Sequence, residues 1–213
     1  MIYHRKYDSY DRYVFVQGNK ARCVNARSRL INSIPKKVNS FVRQFSHFTK
    51  YLLPGKILCL GARTGAEVQA ARKLGFPDSI GVDLHPLGKY VMQGDWHSLP
   101  FADASFENVY CNSLDHCADF ESLVREVTRI LVPNGRFVYL SDVCYALDSR
   151  LPGDEIDIDA VINNRVGTNV HNAMWWDSLK DIADRFCEAG FVIEHYFALK
   201  KRGGQSGYVL RKL

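Results

Sequence analysis

The sequence predicts an α/β protein built on a mainly parallel sheet with helices on both faces. Three observations predict it. The run Lys56-Ile-Leu-Cys-Leu-Gly-Ala-Arg-Thr-Gly65 carries an apolar strand into a tight Gly-X-X-X-Gly turn, and a helix-forming stretch follows from Ala66 to Leu74. Beyond it, strand-like and helix-like segments alternate, which calls for right-handed crossovers between parallel strands. The chain then closes with two strand-like runs around Lys200-Lys201-Arg202-Gly203-Gly204, a hairpin turn that makes the last pairing antiparallel.

Taken in order, the apolar residues Val38, Phe41, Val42, Phe45 and Phe48 recur at helical spacing. They predict an amphipathic helix from about 38 to 53, which Pro54-Gly55 ends. Strands are expected near 56–61, 79–83, 90–94, 107–112 and 136–141, with helices near 65–74 and 119–131. From 143 to 172 the periodicity fails, and Pro152-Gly153, an acidic string and several Asn residues read as an insertion. A helix from Trp175 to Ala189, with Leu179, Ile182, Ala183 and Phe186 on one face, precedes strands near 191–199 and 206–212.

A chain of 213 residues can bury a full core, so 1–213 is read as a single domain. It divides into a basic segment, 1–53, and a core, 54–213. No run of about 18 apolar residues suggests a membrane span, and the polar N-terminus does not suit a secretory signal. The six cysteines lack C-x-x-C spacing, and Cys59, Cys111 and Cys144 fall in apparent strands. Buried thiols in a soluble, cytoplasmic protein are the expectation.

Charge is unevenly spread. Residues 1–50 hold eleven Lys/Arg against two Asp, which leaves the remainder at −4 within a total of +5. A basic front on an acidic body suits RNA, a nucleotide-activated substrate or a phosphorylated glycan, and equally suits a solvated helix surface.

Strand ends carry the chemistry. Asp83 closes the second strand about twenty residues beyond the glycine turn, where a carboxylate can accept hydrogen bonds from ribose hydroxyls. Next comes Gly94-Asp95-Trp96-His97-Ser98-Leu99-Pro100-Phe101-Ala102-Asp103-Ala104-Ser105-Phe106, a string foreign to nicotinamide-binding domains. Together with Arg125-Glu-Val-Thr-Arg-Ile-Leu-Val-Pro-Asn-Gly-Arg-Phe-Val-Tyr-Leu-Ser-Asp142, it resembles the class I S-adenosylmethionine (SAM) dependent methyltransferases of the GDxxxLPF type, over roughly residues 55–143.

That resemblance implies a Rossmann-like seven-stranded sheet, order 3-2-1-4-5-7-6 with strand seven antiparallel, and SAM as cofactor. It implies that Gly61 and Gly65 shape the turn beneath the methionine portion, with Ala62 and Arg63 between them. Asp83 would hold the ribose, Leu84 would lie beside the adenine, Asp95 would meet the adenine amino group and Trp96 would line its pocket. Asn112 would approach the methionine ammonium. Two positions depart from the pattern: Cys59 stands where the family carries an acid, and Arg63 replaces its middle glycine. Arg63 is expected either to pair with the methionine carboxylate or to crowd the pocket.

For an alcohol acceptor a base or a metal must lie near the methyl group. His116 is the candidate base, with a pocket-shaping role as its alternative; imidazole titrates in the useful range. Asp115 and Asp142 are the accompanying carboxylates, able to hold Mg²⁺ only with a further ligand. Asp154-Glu-Ile-Asp-Ile-Asp159 reads as an acidic loop or edge. His171-Asn172 could reach a substrate, and the Trp175-Trp176 pair reads as core. Residues 1–30 would form a helical lid, with Tyr10, Arg12 and Tyr13 as its contacts. The chain also resembles the methyltransferase domains of large-virus glycan-building proteins, which implies a sugar or other small-molecule hydroxyl as acceptor. The alternatives are an RNA or tRNA methyltransferase and a catalytically silent partner subunit.

Overall fold

The computed structural model describes residues 3–5, 9–22, 24–142, 174–176, 178–199 and 205–213. The N-terminal segment comprises β1 (Tyr3–Arg5), α1 (Tyr10–Arg22), α2 (Val24–Asn32) and α3 (Ile34–Phe45). The core follows as β2 (Ile57–Leu60), α4 (Ala66–Lys73), β3 (Ile80–Asp83), β4 (Val91–Gln93), β5 (Phe106–Cys111), α5 (Phe120–Ile130) and β6 (Leu131–Asp142). It ends with β7 (Met174–Trp176), α6 (Leu179–Glu188), β8 (Phe191–Ala198) and β9 (Gln205–Lys212).

Seven strands form one sheet in the order β4-β3-β2-β5-β6-β9-β8. Counted from β2, this is the expected 3-2-1-4-5-7-6. The pairs from β4 to β6 are parallel. β9 runs antiparallel to both neighbours. Strand alternation sorts the core into two layers. Leu58 and Leu60 of β2 pack with Val109, Phe137 and Tyr139 on the side covered by α5 and α6. Ile57 and Cys59 pack with Tyr110, Val138 and Leu140 on the side of α3 and α4. Burial on both faces is why β2 reads as a continuous apolar run rather than an alternating one.

The LPF string and the α5 string, met separately in the sequence, hold each other. Leu99 N–H donates to Glu126 Oε2 at 2.6 Å. Arg129 donates to the carbonyls of Leu99 (3.0 Å) and Phe101 (2.7 Å) and to Asp103 Oδ1 (2.8 Å). These residues fasten the loop after β4 to α5 and do not line the cavity described below. Part of the family pattern is therefore a structural clasp.

Three expectations are corrected. The helix expected from 38 to 53 is α3, which starts at Ile34, ends at Phe45 and gives way to a 3₁₀ turn at Thr49–Tyr51. Phe48, immediately before that turn, continues the apolar spacing and is fully buried against Phe45, Tyr110 and Phe197. A three-residue step satisfies helix and tight turn alike, so spacing did not mark the end. The helix expected from Trp175 begins instead at Leu179, where Ser178 and Asp181 form a capping box. Met174–Trp176 is extended and pairs antiparallel with β1, so the N-terminal segment opens on a strand. The buried thiols are found at Cys59, Cys111 and Cys117. The 143–172 insertion (with Cys144, Pro152-Gly153, the 154–159 acidic string, His171 and Asn172) and the 200–204 turn lie outside the described residues. Among the described residues no helix is long and apolar enough to cross a membrane.

Candidate active site

The sheet order reverses between β2 and β5, and at that switch point the carboxyl ends of the strands open into a cavity of about 340 Å³. The glycine turn forms its floor. Gly61 N–H donates to the Val82 carbonyl at 2.9 Å, which ties the turn to β3. A Cβ at Gly61 would stand 2.8 Å from the Trp96 ring and 3.0 Å from Ser113 Cβ, so only glycine lets both approach. Gly65 takes a left-handed φ of 68° and launches α4.

The cavity brings together Gly61, Ala62, Arg63, Asp83, Leu84, Trp96, Asn112 and His116 from the sequence-derived set. Asp83 is 8% exposed. Its Oδ2 accepts from Arg63 N–H at 3.0 Å and its Oδ1 from His85 N–H at 2.8 Å. Each oxygen then retains acceptor capacity of the kind a vicinal diol requires. Gly65 does not line the cavity; a Cβ there would stand 2.6 Å from the Lys89 carbonyl oxygen.

Asp95 does not itself line the cavity; it lies between Gly94 and Trp96, which do. Its Oδ1 accepts from the His97 backbone N–H and from His97 Nδ1, both at 2.8 Å, and its Oδ2 accepts from the Tyr10 hydroxyl at 2.6 Å. His97 Nε2 accepts from Trp96 Nε1 (3.1 Å) and Asp119 N–H (3.2 Å), which assigns the ring proton to Nδ1. Burial opposes the Asp95 charge, but the bonds from His97 and Tyr10 outweigh it and hold the carboxyl below its usual range. Burial and the Asp95 carboxylate push the Tyr10 phenol upward, so it stays a donor.

One face of α1 closes the site. Tyr10, Tyr13 and Gln17 follow helical spacing. They meet, in turn, Asp95 (2.6 Å), the His116 ring (centroids 6.5 Å apart) and Arg63 Nη2 (3.3 Å, Gln17 Oε1 accepting). Arg12 falls off that face and lies over the Phe15 ring, which corrects its place among the lid contacts. Gln17, which the sequence did not single out, takes its position.

Arg63 lines the cavity beside Asp83. Its Nε lies 3.5 Å from Asp83 Oδ1 and its Nη2 donates to Gln17 Oε1, so the guanidinium leans on that carboxylate and on α1. Arg63→Gly is therefore expected to tighten S-adenosylhomocysteine binding by about 3–10-fold, because one competitor for Asp83 is removed. Isothermal titration checks it; weaker binding would return Arg63 to the methionine carboxylate.

His116 lines the wall after β5 with its Nε2 3.9 Å from Asp115 Oδ2. Asp142 ends β6, opposite Gln205, and its side chain lies outside what the structure describes. Among the described residues no three His, Cys, Asp or Glu side chains converge as a metal site. Four wall residues were not legible in the sequence: Leu30 of α2, Lys37 and Ser40 of α3, and Glu67 of α4. Glu67 was hidden within a stretch that reads only as helix-forming. Its one signal was a carboxylate in the first turn after the glycines, where a helix N-terminus favours negative charge.

Comparison with known proteins agrees with this geometry. A family model described as a methyltransferase domain matches residues 58–139. An Arabidopsis thaliana protein named "Probable methyltransferase PMT6" is 30% identical over 145 residues, which span 63% of this chain and 23% of that protein. The chain thus spans about a quarter of the length of this curated relative. A SAM-dependent methyltransferase structure from Methanosarcina mazei superposes with a TM-score of 0.56 at 14% identity, covering 78% of this chain and 97% of that one. The [4+2]-cyclase SpnF superposes with a TM-score of 0.59 at 14% identity, covering 80% and 81%. The fold is the Rossmann-like methyltransferase fold, and the domain match supports a SAM-dependent methyltransferase with SAM as its cofactor. The cyclase among the neighbours shows why the fold by itself names no reaction.

Proposed function

We propose that this chain is a SAM-dependent methyltransferase that methylates a hydroxyl of a sugar or other small molecule. The observation that carries the reading is His116 in the wall of a cavity that α1 covers. The residues present fit the cofactor: a glycine cradle that a Cβ would fill, a diol-accepting Asp83, the adjacent carboxylate Asp95, and a buried carboxylate on the wall at Glu67. When bound, SAM supplies a methyl carbon on a sulfonium, a reactive electrophile with a good leaving group.

The protein's own groups do the rest. His116 accepts the proton of the acceptor hydroxyl as that oxygen becomes the nucleophile, and Asp115 favours the resulting imidazolium. Asp83, Asp95 and Asn112 orient the cofactor, and the Tyr10–Tyr13–Gln17 face of α1 excludes water. Burial pushes the Tyr13 phenol well above its ordinary range, so it lines the site as a neutral ring rather than acting as the base.

A second reading has its own observation. Arg22, Arg27, Arg29 and Lys36 of α1–α3 are exposed, a basic face of the kind RNA selects. One experiment separates the readings: purified protein is offered labelled SAM with a panel of glycosides and small alcohols, total RNA, and protein. Label on a small hydroxyl compound is the expected result. Label on RNA alone would replace the reading with the RNA one, and label on nothing would favour a silent partner subunit.

A further inference from the structure

Cys59 leaves the chain without the acid that, in the family it resembles, stands two residues before the first glycine. A buried carboxylate nevertheless stands close by. Glu67, in the first turn of α4, is 6% exposed and lines the cavity with Gly61 and Asn112. Its Oε2 is buried and has no hydrogen-bond partner among the described residues. An acceptor enclosed without a donor is costly unless something else supplies the donor. Resting on SAM as the ligand of this cavity, we propose that Glu67 receives the cofactor's α-ammonium group, replacing from α4 the carboxylate that Cys59 removed from β2.

The charged surroundings suit that role. Burial raises Cys59, Cys111 and Tyr110 on the strands beneath Glu67, whose nearby carboxylate adds to each. Asp83 faces it from the end of β3 and disfavours its charge, and Lys37 faces it from α3 and favours it. The position is therefore the same part of the switch point, reached from the helix side. Burial, opposed by the backbone N–H groups of the helix start, raises the Glu67 carboxyl to about 7. In the ligand-free protein this group is about half protonated near neutral pH. An arriving ammonium replaces that proton, which passes to solvent.

The test is isothermal titration of S-adenosylhomocysteine, and of its analogue lacking the α-amino group, into wild type and Glu67→Gln. Glu67→Gln is expected to weaken S-adenosylhomocysteine binding by about 10–100-fold and the deamino analogue by less than about twofold. Wild-type affinity for S-adenosylhomocysteine rises as pH increases from about 6 to about 8, and the variant lacks that rise. Equal weakening of both ligands would reduce Glu67 to a packing residue and overturn the proposal. So would a flat wild-type pH profile, which needs no variant. Wild type that binds neither ligand overturns the cofactor reading as well; wild type that binds while Glu67→Gln is unchanged overturns only the role of Glu67.

Ligand-free stability supplies an independent readout. With its carboxyl raised above the unfolded value of 4.5, Glu67 contributes stability that is complete below that value and is lost as pH rises through about 7. Glu67→Gln should flatten this fall in a thermal-unfolding series. The residue would then stabilise the complex while weakening the empty protein in its charged form.

Discussion

His116→Asn is expected to lower kcat for methyl transfer to a hydroxyl acceptor by about 10²–10⁴-fold, while S-adenosylhomocysteine affinity stays within about twofold. The reason lies in what an alcohol requires. Its oxygen is a poor nucleophile until a base takes its proton, and Tyr13, the ring facing His116, holds its own proton through burial. Asp115 Oδ2, 3.9 Å from His116 Nε2, favours the charged imidazole that proton transfer creates. Asparagine keeps the polarity and approximate size but cannot take the proton. An acceptor amine, neutral at high pH, needs no such base, so an unchanged kcat at high pH would point to nitrogen methylation. Equal losses in kcat and cofactor affinity would mean that His116 shapes the pocket.

Asp83→Ala is expected to weaken S-adenosylhomocysteine binding by about 10²–10⁴-fold, the combined effect of two charge-assisted hydrogen bonds at roughly 1.5–3 kcal/mol each. Asp83 is held ready for a diol by the N–H groups of Arg63 and His85, so little is spent orienting it. The same two contacts mean that alanine also loosens the glycine turn and the loop after β3. Asp83→Asn separates the effects. It keeps an acceptor for one loop N–H, and its folded state should melt closer to wild type while cofactor binding still falls by more than about tenfold. Titration calorimetry with parallel thermal unfolding reads both. Full cofactor affinity in Asp83→Asn would remove the ribose role.

Arg63 and Glu67 show where the sequence stops. Arg63 is identifiable as an intruder in a glycine position, but its direction depends on Asp83 and on Gln17, 46 residues away. Glu67 is unremarkable in the string Thr64-Gly-Ala-Glu-Val, because carboxylates near a helix start are common. Its meaning arises only when α3 and the strands bury it beside the position that Cys59 occupies. The α1 lid is similar: Tyr10 and Tyr13 stand out in a basic segment, yet which face of the helix turns inward is set by Asp95 and the cavity wall.

By itself the sequence determined the strands of the main sheet and the floor of the cavity, while the strand order followed from the family resemblance. Those features are short-range: apolar runs, a glycine turn with φ values open chiefly to glycine, and carboxylates that end strands at fixed distances from it. Tertiary structure alone decided which charged groups share the cavity, which proton His97 carries and where α3 ends. The physical reason is that burial and long-range pairing set the energy of a charge or a helix end, and both are properties of the packed chain rather than of spacing along it.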